Sequence, residues 1–508
     1  NYFFMWQYHN ECECPCHKGG KADFRPMTNR KKCVIIRSFC CKASSQEYKR
    51  LTANTFKFGR FSMEKNLTTG SVPRTVLSFS IPYLLSYFLQ TLYGMADLFI
   101  IGQFNGIKST TAVSIGSQVM HMITVMIVGL AMGATVKIGQ SIGAQNKKQT
   151  SLAIGNTITL FMALSLILTL ALLFAVKPIV NVMSTPAESV SETISYLTVC
   201  FIGIPFITAY NIICSIFRGM GDSKSPMYFI AVACAANIAL DYFFIGNMGL
   251  GPTGAALGTA LSQTISVIVS LFIILRRKTE ITLSINFFLP DKKTMSDLLK
   301  IGIPVALQDG FIQISFIVIT VFANKRGLND AAAVGIVEKI IGILFLVPSS
   351  MLQTVSALCS QNIGAGKHDR ARLTLRYALF ISVAWGIAAC MVMQFYAEPF
   401  IGLFSRDISS VTLPGSQYMR GYIWDCILAG IHFCFSGYFC AYGLSGISFL
   451  HNFLSILCMR IPLSYFASKY FTDTLFPMGL ASTAGSALSV VICAGVFFRI
   501  SKQRKNSK

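Results

Sequence analysis

The stretch TVLSFSIPYLLSYFLQTLYGMADLFII, residues 75–101, carries a single charged side chain, Asp97. A helix that crosses the hydrocarbon core of a bilayer needs about 20 predominantly apolar residues, so this segment is predicted to span a membrane. Working outward, hydropathy picks out eleven more such segments, at approximately residues 111–136, 150–176, 192–217, 226–245, 252–275, 299–323, 331–357, 373–396, 411–440, 446–468 and 477–499. The composition agrees. Of 508 residues, 53% are hydrophobic and only 13% charged, with a mean hydropathy of +0.58, whereas soluble domains carry about a quarter charged residues. The expected fold class is an all-α polytopic membrane protein with twelve transmembrane helices.

The formal net charge of +22 is then read by position, because Lys and Arg mark the cytoplasmic side of membrane proteins. Counted from an inside start, Lys147, Lys148, Lys224, Arg276, Arg277, Lys278, Lys292, Lys293, Lys367, Arg370 and the tail from Arg499 all fall on one side. The other side receives Lys108, Lys177, Lys325, Arg326, Arg406 and Lys469. Both termini are therefore expected in the cytoplasm. Residues 1–62 differ from the rest, with 12 Lys+Arg against 4 Asp+Glu and no stretch long enough to span. Cys12, Cys14, Cys16 and His17 crowd together without a second ligand pair at zinc-module spacing, so no metal site is expected there. The run Met63-Glu64-Lys65-Asn66 reads as a natural start, and the segment before it as a disordered or spurious extension.

An internal repeat decides the architecture. Ser80-Ile81-Pro82 recurs as Gly302-Ile303-Pro304, Gln140-Ser141-Ile142-Gly143-Ala144 as Gln361-Asn362-Ile363-Gly364-Ala365, and Gly254-Ala255-Ala256 is echoed by Gly479-Leu480-Ala481, all near an offset of 222. Six helices duplicated in the same orientation imply two lobes related by a pseudo-two-fold axis along the membrane normal, a transporter architecture with the substrate path between the halves. The expected divisions are an N-lobe at 63–275, a cytoplasmic linker at 276–298, a C-lobe at 299–500 and a basic tail at 501–508.

An acidic residue at mid-membrane costs about 2.5–3.5 kcal/mol on insertion scales, which makes each one a functional candidate. The spans contain Asp97, Asp241, Asp309, Glu338 and Asp425. Asn237 and Asp241 stand four residues apart and so share a helical face. A carboxylate, an amide oxygen and neighbouring hydroxyls form a hard-oxygen set suited to Na+, and the same carboxylate out of water can carry a proton. Asp309 and Glu338 are secondary candidates near a lobe mouth, and Asp425 is expected to pair with Arg460 or Arg420 in a structural role. Shifted by the repeat, Asp97 falls at Ile319 and Asp241 near Leu463, so the second lobe lacks these carboxylates and ion chemistry belongs to the first.

The motifs IPYLLSYFLQTLYGMADLFIIG (81–102), GQSIGA (139–144) and FRGMGDSKSP (217–226), with the duplicated layout, resemble the multidrug and toxic compound extrusion (MATE) family across residues 75–500. The resemblance is to the prokaryotic branch whose cation site lies in the N-lobe. It implies a polar network of Pro82, Asp97, Tyr196, Asn211, Asn237, Asp241 and Thr259, with Pro82 as the place where the first helix bends. Another branch keeps acids in the seventh and tenth spans. Asp309 and Asp425 lie in those spans, but their surrounding motifs do not match. The resemblance further implies antiport, in which inward Na+ or H+ drives export of organic, often cationic, compounds as the two lobes rock.

The expected partners are drug-like small molecules and the lipid bilayer of the plasma membrane, with no nucleic acid, no cofactor beyond the transported ion, and a monomer as the working unit. No GxxxxGK[ST] motif is present, so an ion gradient is the expected energy source. A lipid-linked oligosaccharide flippase would need a strongly basic cleft, whereas Arg420 and Arg460 are the main basic residues expected deep in the spans. Gly219-Met220-Gly221-Asp222 matches the short pattern of intramembrane aspartyl proteases, yet the preceding span offers no second Asp. Arg218, Lys224 and Pro226 make it a cytoplasmic turn.

Overall fold

In a computed structural model the chain is described at residues 66–276, 284–404 and 408–506. The extension 1–62, with Cys12, Cys14, Cys16 and His17, the start at Met63 and part of the linker lie outside the described residues. What is described is helical, and twelve membrane-crossing segments follow one another in the expected order. They are α1 (Val72–Phe104), α2 (Ile107–Gly143), α3 (Lys147–Val182), α4 (Val190–Ile202 and Ile204–Gly219), α5 (Lys224–Asp241), α6 (Gly251–Arg276), α7 (Lys292–Arg326), α8 (Leu328–Leu344 and Leu346–Gly364), α9 (His368–Gly402), α10 (Leu413–Tyr422 and Asp425–Ala441), α11 (Ser445–Ser455 and Ile461–Tyr470) and α12 (Phe476–Asn506). Most run several residues beyond their apolar windows, because a helix continues into the interface where hydropathy no longer reports it. The linker is the clearest case: α7 begins at Lys292, inside the expected 276–298 connection.

Two spans are broken. The halves of α4 meet at Gly203 with a bend of 48°, and those of α10 bend by 40°. Wide π-turns occur at Tyr242–Asn247, directly after α5, and at Ile456–Arg460 within α11. α1 runs unbroken through the buried Pro82, whose carbonyl accepts a hydrogen bond from the Ser86 hydroxyl at 2.8 Å. The carbonyl that a mid-helix proline deprives of its donor is the one four residues back, at Ser78.

The first six helices pack as one lobe, with α1 on α5, α5 on α6 and α2 on α4, and the last six as another, with α8 and α9 on α10, and α10 on α12. The lobes meet where α2 lies against α7 and α8. This contact is close because it is lined with glycine. A Cβ at Gly133 would strike the Leu298 carbonyl, at Gly302 the Leu130 carbonyl, at Gly143 the Gln361 carbonyl and at Gly364 the Gln140 carbonyl. The motif pair GQSIGA and QNIGA is thus the meeting point of the two repeats.

The bonds joining the lobes lie at the end of the bundle that carries most of the basic loops. Lys137 Nζ pairs with Asp297 at 2.6 Å, Gln140 Nε2 donates to the Ala441 carbonyl at 2.9 Å, and Gln361 Nε2 donates to the Gly219 carbonyl at 2.9 Å. Toward the opposite end, the first half of α4 and the first half of α8 each pack within their own lobes. The structure is therefore sealed at the basic end. The connection between lobes is held by Asn156 of α3, whose amide donates to the Phe287 and Leu289 carbonyls and accepts from the Asp291 N–H at 2.7 Å.

Candidate functional site

Asp97 sits two turns from the end of α1, Asp241 at the last position of α5, and Asn237 one turn before it. Packing of α1 on α5 brings the three together inside the first lobe, where Asp97 is 5% exposed and Asp241 fully buried. Asp97 lies in close-range contact with Asp241 and Asn237, and accepts a hydrogen bond from the Thr259 hydroxyl of α6 at 3.3 Å. Asp97 Oδ1, both Asp241 oxygens and the Asn237 amide are buried without a hydrogen-bond donor or acceptor. No Lys or Arg forms an ion pair with either carboxylate among the described residues.

Two carboxylates beside one another, in a site with no built-in countercharge, leave several buried oxygens without a donor. Leaving such groups unmatched costs several kcal/mol each. A proton or a small hard cation would supply the missing positive charge, and the carboxylate, amide and hydroxyl oxygens suit either. The backbone contributes as well. α5 changes from α to π geometry at Tyr242, immediately after Asp241, and π-turns are frequent where helices host functional groups.

Of the other expected members, Tyr196 of α4 lies within electrostatic reach of Asp97, its ring pressed against Gly116. Asn211 is buried on the second half of α4, but its amide nitrogen donates to the Ile207 carbonyl of its own helix at 2.8 Å, and no contact joins it to the carboxylates. Pro82 is just over four turns from Asp97 along α1, at the level of the seal. The structure thus brings together Asp97, Asn237, Asp241, Thr259 and Tyr196, and leaves Asn211 and Pro82 apart from them.

Two neighbours escaped the sequence reading. Tyr93, one turn before Asp97 on the same face, reaches both Asp97 and Tyr196 electrostatically; the four-residue spacing could have revealed it. Gly258 stands where a Cβ would fall on Asp241 Oδ1, so the absence of a side chain makes the seat for that carboxylate. Nothing in a single sequence marks that glycine among 39.

The acids of the second lobe are arranged differently. Arg460, at the end of the α11 π-turn, lies 4.5 Å from the Phe316 ring centroid and donates to the Tyr422 hydroxyl at 2.7 Å. Glu338 and Asp425 are within its electrostatic reach, and Glu338 also accepts from Thr320 at 3.4 Å. Among the described residues Asp425 makes no ion pair within 4 Å, and Arg420 is not its partner. Arg420 pairs instead with Glu398 at 3.0 Å, because α10 is broken between Arg420 and Asp425 and turns the two apart. Arg218, read from sequence as part of a loop, is in the last helical turn of α4 and packs inward against Tyr83. Asp309 lies at the seal, against Gly129 of α2.

Comparison with known proteins follows this geometry. The MatE family model matches residues 82–243 and 304–466, one copy in each lobe. The chain is 25% identical over 443 residues to the probable multidrug resistance protein YoeA of Bacillus subtilis, covering 86% of this chain and 95% of that one. It is 25% identical over 369 residues to the multidrug export protein MepA of Staphylococcus saprophyticus, covering 72% and 81%. Among solved structures, the outward-facing conformation of a multidrug resistance MATE family transporter superposes with a TM-score of 0.81 at 22% identity, covering 88% of this chain and 99% of that one. Twelve spans in two repeats, each repeat matched by the same family model, mean that this chain belongs to the MatE family of multi-pass membrane transporters.

Proposed function

We propose that this transporter exports organic, often cationic, small molecules across the plasma membrane by antiport, taking up Na+ or H+ at the first-lobe carboxylates. The observation that carries this reading is the pairing of Asp97 with Asp241 in a buried site with no basic partner among the described residues. Two adjacent carboxylates out of water do not both stay ionised cheaply, so enclosing the pair favours uptake of one cation or one proton. Asn237 and Thr259 supply further oxygens, Tyr196 closes the site beside Asp97, and Pro82 is the point at which α1 bends when the site fills.

By the distribution of Lys and Arg, the sealed end faces the cytoplasm, and both termini with it. Sealing at that end corresponds to an outward-open state, and rocking of the lobes about α2, α7 and α8 would give the inward-open one. One elementary charge crossing 100 mV supplies about 2.3 kcal/mol, enough for a gradient of roughly fiftyfold in a neutral solute. The names of the relatives, multidrug resistance and multidrug export proteins, support this substrate range. Asp425, beside Arg460, serves structure rather than coupling.

The test is ethidium efflux from proteoliposomes with Na+ and pH gradients imposed separately, for the wild type and Asp241→Asn. The variant keeps size and hydrogen bonding but removes the charge that makes cation uptake necessary. It is expected to bind ethidium and to have lost gradient-driven export. Wild-type export by Asp241→Asn would place coupling elsewhere.

A further inference from the structure

The first helix of each repeat is entered from a short segment that the other lobe holds. Before α7, the Phe287 and Leu289 carbonyls are bound by the Asn156 amide of α3, and the Phe288 carbonyl accepts from the Thr159 hydroxyl at 2.8 Å. Before α1, the holding helix is α9. Arg370 donates to the Leu67, Thr69 and Gly70 carbonyls at 3.4, 2.6 and 2.7 Å, and Lys367 Nζ donates to the Thr68 carbonyl at 2.9 Å. Since α3 and α9 are the third helices of the two repeats, one clasp is the counterpart of the other. Each fastens the lead-in of one lobe's first helix to the third helix of its neighbour.

The clasp before α1 is also tied to the seal. Leu67 is buried with Val72 and Val76 of α1 in an apolar cluster that Val355 and Leu358 of α8 and Leu375 of α9 complete. Its N–H donates to Gln361 Oε1 at 3.4 Å, while Nε2 of the same amide donates to the Gly219 carbonyl of α4 at 2.9 Å. A side-chain amide has one accepting and one donating end, so the bond from Leu67 turns Gln361 with its donor toward the first lobe. Residues 66–70 therefore meet the second lobe by apolar burial, by bonds from two cations and through a residue of the seal. Farther along, α1 lies on α5 and carries Asp97. One helix is thus fastened to the second lobe at its start and to the first lobe near its end.

We propose that residues 66–70 are a latch: seated on Arg370, Lys367 and Gln361 they hold the lobes together at the basic end, and they leave α9 when that end opens. Arg370 is then a positioning residue of the transport cycle, acting through the strap and not on substrate or ion. Hydrogen bonds from a guanidinium are stronger than those between neutral groups, and its planar fork reaches several carbonyls at once, which Lys does not do from a single point of charge. Because the acceptors are neutral carbonyls and not carboxylates, release leaves no buried anion behind, and the latch can open in every cycle. The inference rests on the rocking of the lobes proposed above.

The test is hydrogen exchange read by mass spectrometry on the full chain in lipid nanodiscs, with no gradient and no substrate, for wild type, Arg370→Gln, Arg370→Lys and Leu67→Ala. Exchange of a protected amide follows the population of the open form. Loss of the guanidinium bonds is expected to raise that population about tenfold. Peptides from 137–146 and 357–367 should then exchange about tenfold faster, and peptides at the opposite mouth, 107–120 and 328–340, more slowly as that end closes. Arg370→Lys is expected to fall between wild type and Arg370→Gln. Leu67→Ala attacks the latch from the strap side and covers the case of an unfolded Gln variant. Faster exchange at both ends, which general loosening would give, overturns the latch, as does faster exchange confined to the strap. Lys137→Gln, outside the strap, is run alongside. A response of opposite sign at the two ends in that variant, with none in the Arg370 and Leu67 variants, overturns the latch and leaves the rocking of the lobes standing, whereas no response in any variant counts against both.

Discussion

Gly258→Ala tests the first-lobe site through a residue that carries no chemistry of its own. The added methyl group would clash with Asp241 Oδ1 and lie 3.2 Å from its Cγ, so the carboxylate must leave its seat beside Asp97. Overpacking of this kind costs about 1–3 kcal/mol. In the helix interior, however, Ala is favoured over Gly by about 0.8–1 kcal/mol, so the net change in stability is small while the site is displaced. If the displacement appears as lost cation affinity, 1–3 kcal/mol corresponds to roughly a five- to 150-fold rise in the half-saturating cation concentration. The assay is ethidium export by proteoliposomes as a function of external Na+ and, separately, of external pH, with ethidium binding in detergent as the control for folding. Thr259→Val gives the comparison: it removes the 3.3 Å hydrogen bond to Asp97 without filling space, for a loss of about 1 kcal/mol and under about tenfold. A half-saturating concentration in Gly258→Ala within twofold of wild type would refute the claim that Asp241 works from this seat.

Further outcomes follow from the seal and from the second lobe. Lys137→Gln breaks the ion pair to Asp297, whose side chains are 17% and 30% exposed. At about 0.5–1 kcal/mol for such a pair, labelling of Gln140→Cys by an impermeant thiol reagent from the sealed side should rise roughly two- to fivefold. The comparison is made on a Cys458→Ser background, and unchanged labelling would mean the pair does not hold the seal. Arg460→Gln leaves Glu338 and Asp425 buried without their neighbouring cation, a loss of about 3–5 kcal/mol. A thermal midpoint in detergent equal to wild type would show that the arginine does not hold this cluster.

What the sequence made legible follows from the range of the signals involved. The twelve spans depend on local apolar length, and the two lobes on a repeat that survives in short motifs. Asn237 and Asp241 were found because a helix converts a four-residue spacing into a shared face. Their meeting with Asp97 depends on how α1 packs on α5, which no spacing reveals, and was reached only through family resemblance. Asn211 shows the limit of carrying a role over by residue type: its amide is already bound to the carbonyl one turn back. Arg218 was hidden by its place beside a glycine turn and a lysine, where position in the chain suggests a loop. Its helical spacing from Tyr210 and Cys214, all three on one face, was the signal that pointed inward.

The two lobes place positive charge in opposite ways at equivalent positions. The matched segments 82–243 and 304–466 are offset by 222 to 223 residues, so Asn237 corresponds to Met459 or Arg460, and Asp97 to Ile319 or Thr320. In the second lobe the equivalent place therefore holds a guanidinium tethered to α11, with Thr320 bound to Glu338 beside it. In the first it holds two carboxylates and an amide with no ion pair to Lys or Arg among the described residues. On the antiport proposed above, a tethered cation cannot leave, so the second lobe would keep one electrostatic state through a cycle while the first would alternate between two. The π-turns do not coincide under this offset: Ile456–Arg460 corresponds to about residues 233–238, inside the first-lobe helix whose own π-turn follows at Tyr242–Asn247, so the backbone diverged along with the side chains. On the proposed antiport the first lobe would be the one that alternates, because the fifth-helix position that holds Asn237 there corresponds to Met459 or Arg460 in the second.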